Sequence, residues 1–355
     1  MSKAADLANL IGNINAGGGG VNRNLIINGA MNVAQRGTSF ADVANGTYTL
    51  DRFVRHHSND GAVTITQDSS SPDGFSNSLK VDVTTADTSL ASTQNEIFAH
   101  KVEAQNLQSL AFGTSSAKNF TVSFYVKSNK TGTYAVNIAQ SDNSSKQATL
   151  TYTINSADTW ERKSLTFTGD TSGVINDDNG TGFEMSWFLA AGTGYTSGSA
   201  SASFATYSNA NYAAGQTVNL LDSTDNTWFI TGVQLEVGQN ATEFEHEPYE
   251  ETLRKSRRYF QTIESLLVRA HGTTSIVGFT PIHPMRATPT ATTTGTVTVN
   301  NIGTSNNAQS SGDITLSTST DEGVEFSMGN FSSLTDDLAY GLRPQNGHIQ
   351  LLAEL

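Results

Sequence analysis

The chain has 355 residues, enough for two domains that each bury a core. Its 33 acidic and 20 basic residues leave a net charge of −13, which argues against wrapping a nucleic acid, where neutralising phosphates dominates affinity, and equally against an anionic membrane surface. There is no cysteine, so disulfides and thiolate metal centres are excluded, and no apolar run has the length needed for membrane insertion.

Only 15% of residues are charged, while Ser, Thr, Asn and Gly abound. Polarity of this kind suits secreted or virion β proteins with turn-rich loops. The N-terminus lacks a basic stretch followed by a sustained apolar segment, so no cleaved signal is expected, and work outside a cell would need another exit such as lysis.

Residues 1–23 read as a short helix and a tether. Ala4, Leu7, Ile11 and Ile14 recur at spacings of three and four, a stripe too short to be stable alone. Leu7, Ile11 and Ile14 are therefore candidate docking residues, and the glycine run 17–20 is a flexible linker. It is not a phosphate loop, because no Gly-Lys-Ser/Thr follows and no strand precedes it.

From Asn24 to Val237 the pattern predicts about ten strands. The first is expected within NLIINGAMNVAQRGTSF, with turns at Asn28-Gly29 and Arg36-Gly37. Period-two alternation then marks 48–55, 62–67, 78–83, 120–127, 133–139, 148–154, 160–168, 184–190 and 227–237. Such a series predicts a jelly-roll β-sandwich over residues 24–246. The polar stretch 192–216 reads as a loop.

Residues 247–263 read as a linking helix. Pro248 suits a first turn, carboxylates precede the cations Arg254, Lys255, Arg257 and Arg258, and two i,i+4 pairs run in the favourable direction. Leu253, Ser256, Phe260 and Ile263 then fall on one face, a candidate contact between copies. Six further strands over 265–352 predict a second, smaller β-sandwich as the distal domain, 264–355.

Candidate chemistry is sparse. His56 and His57 are adjacent on a strand and so face opposite ways, which is poor for chelating one ion. The acidic turn NDDNGTGFE at 176–184 fails the EF-hand template, because Ile175 stands where the first aspartate belongs. No nucleophile elbow or zincin motif occurs. No metal, cofactor or catalytic residue is assigned. Trp160, Trp187 and Trp228 lie in alternating strands and read as core. Tyr195, Tyr207 and Tyr212 lie in a Gly/Ser-rich loop with no core to fill, so they are candidates for stacking on a sugar.

Three segments carry a resemblance. NLIINGAMNVAQRGTS with YTLDRF resembles the start of many bacteriophage tail-fibre and related virion proteins. TWFITGVQLEVGQNATEFEHEPYEETLRKSRRYFQ resembles the junction in the same proteins where a sandwich leads into a distal domain. MRATPT and the terminal LLAEL resemble their distal domain. The middle of the chain is also similar to jelly-roll carbohydrate-binding modules.

The resemblance implies a non-enzymatic structural virion protein, a tail fibre held to other tail proteins by its N-terminus and meeting a host cell-surface glycan or protein through its β domains. It also implies a homotrimer. A capsid or tail decoration protein and a polysaccharide-degrading tailspike are the alternatives. In the distal domain His271, His283, Arg286, Tyr340, Arg343 and His348 are the groups most able to contact a receptor.

Overall fold

A computed structural model gives the fold. It describes residues 3–15, 23–142, 146–263, 265–294, 297–301, 307–310, 314–344 and 348–355. The chain divides into two compact units, 1–252 and 253–355, so the boundary falls inside the linking helix and not at its ends.

The first unit is a jelly-roll β-sandwich preceded by helix α1, Lys3–Asn15. Its strands are β1 Ser39–Ala41, β2 Thr47–Tyr48, β3 Phe53–His57, β4 Ala62–Asp68, β5 Ser78–Thr85, β6 Asn95–Glu103 and β7 Phe120–Ser128. Then come β8 Gly132–Gln140, β9 Lys146–Ile154, β10 Glu161–Phe167, β11 Thr181–Ala191, β12 Ser201–Thr206 and β13 Thr227–Val237, with a single helical turn, α2, at Thr193–Thr196. One sheet runs β1-β4-β5-β13-β7-β10 and the other β12-β9-β8-β11-β6-β3-β2.

Alternation sets which side chains face inward. Phe120, Phe124, Phe167, Phe183, Trp187 and Trp228 fill the space between the sheets, and Phe124 meets Trp187 edge-on at 5.8 Å. Buried indole and phenol groups need partners, and Trp228 Nε1 donates to the Tyr152 hydroxyl at 3.3 Å.

The sequence pattern misses β6, the strand between β11 and β3. Two of its core-facing positions, Glu96 and His100, are polar. Glu96 is neutralised inside the protein, where Arg55 Nε donates to Oε1 at 2.8 Å and Nη2 to Oε2 at 3.0 Å. Nε2 of His100 donates to the Ile27 carbonyl at 3.2 Å. Burial pushes the His100 imidazole well below its ordinary pKa, and the nearby Arg52 cation adds to this.

Of the stretch 24–40 expected to hold the first strand, only Ser39 and Phe40 enter one, β1, and the part before them is a folded turn. Asn28 and Met31 have φ of 61° and 58°, and the Asn28 side chain closes the turn, donating to Val33 and Asp51 carbonyls and accepting from the Val33 N–H. Gly29 is required by close approach, since a Cβ there would lie 2.1 Å from the Val233 carbonyl oxygen. Trp160 also departs from the pattern. It is only half-buried and stands edge-on to Phe229 at 6.1 Å, with Lys127 Nζ 5.3 Å from its ring centre.

The ends of the sandwich meet at a clasp. Leu25 N–H donates to Leu235 O, and the Asn24 side chain donates to Val233 O and accepts from Leu235 N–H. Buried Glu236 accepts from both the N–H and the hydroxyl of Thr242, and Arg162 donates to the Thr242 carbonyl.

Helix α3 spans Tyr249–Arg257, shorter than the predicted 247–263. Phe260–Ile263 is a strand, β14, so the proposed Leu253, Ser256, Phe260, Ile263 stripe is not helical. Ser256 and Phe260 are fully buried and Ile263 nearly so, which leaves them unavailable to another copy. Strand pairing wins over the helical pattern because β14 finds a partner along its whole length in the last strand, β23 Ile349–Leu352.

The second unit is a smaller β-sandwich. Besides β14 and β23 it contains β15 Leu266–Ala270, β16 Ile276–Pro281, β17 Thr290–Thr293, β18 Val297–Asn301, β19 Asn307–Ser310, β20 Ile314–Ser319, β21 Gly323–Met328 and β22 Ala339–Pro344. The sheets run β14-β23-β17 and β19-β18-β22-β15-β16-β21-β20, over a core that includes Val268, Ile276, Val297, Phe326, Leu342 and Leu351.

Candidate functional site

Strand alternation gives the seven-stranded sheet of the first unit a second, outward face. Val54, Ile97, Ala99, Ala135 and Phe188 point there, away from the main core, and form their own buried cluster with Ala213. The segment 192–216, expected as a loop, is folded onto this face. Gln147 Nε2 donates to Ser208 O, Thr149 Oγ1 to Asn211 O, and Ala135 N–H to Gln216 Oε1. Polar side chains of β9 and the segment thus hold it down.

That docking brings the three predicted tyrosines together. Tyr212 stands edge-on to Phe188 at 4.7 Å, Tyr195 lies 5.9 Å from Tyr212, and Tyr207 lies 5.6 Å from it. Tyr195 and Tyr212 are half-buried, whereas Tyr207 is 39% exposed. Two supporting rings therefore hold a third at the surface.

Charged groups border the aromatics. Glu184 on β11 lies 3.8 Å from Lys101 Nζ and 3.9 Å from His56 Nε2, and all three are partly exposed. Burial raises the Tyr212 phenol, and Glu184 raises it further against a hydrogen bond shared with Ser186. Burial and the same surroundings raise Tyr207. Both phenols are thus neutral hydrogen-bonding groups. Burial depresses the His56 imidazole, with Glu184 opposing and Lys101 and His57 adding to the effect. An aromatic platform beside a carboxylate, an ammonium and an imidazole can stack on an apolar ring face and exchange hydrogen bonds with hydroxyls.

The other predicted residues are dispersed. In the distal unit Tyr340 is buried and its hydroxyl accepts from the Thr335 N–H. Arg286 is half-buried and donates to the carbonyls of Ala353 and Glu354. Both therefore pack the fold. His271 is exposed in the turn after β15, His283 is half-buried after β16, and His348 is exposed before β23, so the three stand on separate segments. The side chains of Ile14 and Arg343 lie outside the described residues. On α1, Leu7 and Ile11 are 57% and 49% exposed. The acidic turn at 176–184 is closed by Asp178, whose side chain accepts from the Gly180 N–H at 2.8 Å.

Lys101, Glu184 and Phe188 escape a sequence reading, and His56 enters it only as a poor metal ligand. Each sits at an ordinary outward strand position, and only the register of β3, β6 and β11 gathers them.

No protein-family model matches the chain, and no curated protein sequence does. Among solved structures, the enzymatically active domain of tailspike protein 4 of bacteriophage CBA120 is similar at 12% identity and a TM-score of 0.31, over 56% of this chain. The match spans about a fifth of that chain's length, 21%. A family 4 carbohydrate-binding module is similar at 14% identity and a TM-score of 0.31, covering 60% of this chain and 99% of the module. A family 11 module from Clostridium thermocellum, in complex with a β-1,3-1,4-mixed-linked tetrasaccharide, is similar at 11% identity and a TM-score of 0.29, over 59% and 99%. With scores this low, the residues of the face carry the functional reading.

Proposed function

We propose that the protein is a non-catalytic glycan-binding appendage of a phage particle, a tail fibre whose first sandwich holds a sugar against the Tyr207 ring. The supporting observation is the convergence of Tyr195 and Tyr207 on Tyr212, which itself stands on Phe188, beside Glu184, Lys101 and His56. One ring is left uncovered among groups suited to hydroxyls, and a flat apolar ring face is what a pyranose presents. The groups gathered there include one carboxylate, whereas most glycosidases use a pair, and this favours binding over cleavage.

The tail location, the homotrimer and the docking of residues 1–23 on other virion proteins rest on the resemblance of the segments around Asn24 and Thr227. The exposure of Leu7 and Ile11 agrees with a helix that offers this face to another protein. The partner outward is a host cell-surface glycan.

Binding of the purified chain to host-surface polysaccharides, measured by affinity electrophoresis, tests this reading. Retardation is expected for the intact protein and is lost in Tyr207→Ala. Equal mobility of the two proteins on every retarding polysaccharide would remove the tyrosine face from consideration. A decoration protein would instead bind purified particles and no cells.

A further inference from the structure

The distal unit carries a second aromatic platform, distinct from the tyrosine face. Phe279 on β16 is 67% exposed and lies directly across from Glu325 on β21. Its ring rests beside Gly323, where an added Cβ would lie 3.2 Å from two ring carbons, so the glycine leaves the space in which the ring lies.

The turn between β20 and β21 completes the surroundings. Thr320 Oγ1 accepts from the N–H groups of Glu322 and Gly323 at 3.3 and 3.1 Å, and Thr320 N–H donates to Gly323 O at 2.8 Å. Phe279, Thr320, Glu322, Gly323 and Glu325 line an open depression of about 400 Å³. Glu322 and Glu325 are exposed, and the described lining contains no basic side chain.

The electrostatics are one-signed. The face of an aromatic ring attracts cations and so do two carboxylates, and both effects disfavour an anion. A purely apolar ligand would use the ring and leave the charges unanswered. A ligand with an apolar ring face, a positive charge at its edge and hydroxyls answers every group. We propose that this depression binds a hexosamine with a free, protonated amine within a surface glycan. Its C–H face would stack on Phe279 and its ammonium would sit between Glu322 and Glu325, beside the turn that Thr320 closes by also donating its hydroxyl to Gly323 O.

The test is calorimetric titration of the full chain, at low salt and about pH 6, with a glucosamine tetramer and with its fully N-acetylated counterpart. The free amine form should bind and the acetylated form should be at least about ten-fold weaker, because acetylation removes the charge. Phe279→Ala and the double variant Glu322→Gln/Glu325→Gln should each weaken binding at least about ten-fold, and should do so equally in a chain that already carries Tyr207→Ala, which separates this site from the tyrosine face.

Equal binding of the two tetramers would overturn the proposal, as would unaltered binding by Phe279→Ala or no binding by the native chain. A lysine tetrapeptide that bound as tightly as the amino sugar would reduce the effect to attraction by a chain of net charge −13. Sedimentation of the free protein is a further check. If copies associate and Phe279→Ala separates them, the ring is a contact between copies and the proposal fails.

Discussion

The backbone N–H of Asn24 donates to Oε2 of Glu245 at 2.8 Å, across 221 residues of chain. The two segments that most resemble phage fibre sequences are therefore two halves of one clasp. Asn24 also bonds Val233 and Leu235, and Glu245 N–H donates to the side chain of Gln234.

Asn24→Ala removes the Asn24 side-chain bonds while leaving its backbone N–H in place. Unsatisfied buried groups cost about 1–3 kcal/mol, so urea unfolding of the first unit should show a loss of about 2 kcal/mol. An unchanged midpoint would mean that the clasp contributes nothing.

Gly29→Ala should be at least as damaging. Its Cβ would meet a backbone carbonyl of β13, which cannot swing aside as a side chain would, and overpacking of this kind costs about 1–3 kcal/mol or more. Thermal unfolding followed by near-ultraviolet circular dichroism would register the shift.

The Arg55–Glu96 pair, with both side chains fully buried, gives a paired prediction. Glu96→Ala leaves the buried guanidinium only the exposed Asp42 carboxylate and the Val43 carbonyl, both on Nη1, and should cost about 3 kcal/mol, whereas Arg55→Met with Glu96→Leu should lie closer to the native value. A mild effect of the single variant would contradict the reading of this pair as a compensated internal charge.

Stability should fall in mild acid because of His100. Its folded pKa is depressed below the ordinary 6.5, so below pH 6.5 the unfolded chain binds a proton that the folded one refuses. The native state then loses up to about 1.4 kcal/mol per pH unit as pH drops from 6.5 toward the folded pKa, and nothing above 6.5. His100→Gln should flatten that part of the stability profile, read from urea midpoints between about pH 7 and 5. A slope that persists in the variant would assign the acid sensitivity to other groups, His56 first among them.

Tyr207→Ala should leave stability within about 0.5 kcal/mol, since the ring is exposed and touches chiefly Tyr212. Sugar affinity should nonetheless drop by roughly ten-fold, the equivalent of about 1.4 kcal/mol. A large stability loss alongside weaker binding would mean that the ring holds the 192–216 segment in place.

The two-sandwich architecture was legible because most strands alternate cleanly between apolar and polar positions. β6 was not, since Glu96 and His100 occupy inward sites that only their partners on other strands make tolerable. In the distal unit β17, at Thr290–Thr293, and β19, at Asn307–Ser310, are short and polar, so no apolar alternation announces them. The helix through Ile263 failed for a different reason. Phe260–Ile263 fits a helical stripe, yet its pairing partner lies nearly ninety positions later in the sequence.

Tyr195, Tyr207 and Tyr212 were visible as rings in a polar segment with no core to fill. Their convergence was not, because it depends on Gln147, Thr149 and Gln216 anchoring that segment to the sheet. The role of Phe279 is hidden for the opposite reason. It stands in a strand where an aromatic is expected to face inward, and only the register of β16 with β21 turns it out beside Glu325.

The clasp at Asn24 and Glu245 also bears on descent. A sandwich whose incoming segment, at Leu25, lies hydrogen-bonded beside its last strand, at Leu235, is a cassette. Recombination can lift it out, or drop another in, with both cut ends already adjacent. Lineages that share its flanking segments would then be expected to carry unrelated sandwiches between them, changing what they bind while keeping the same seam.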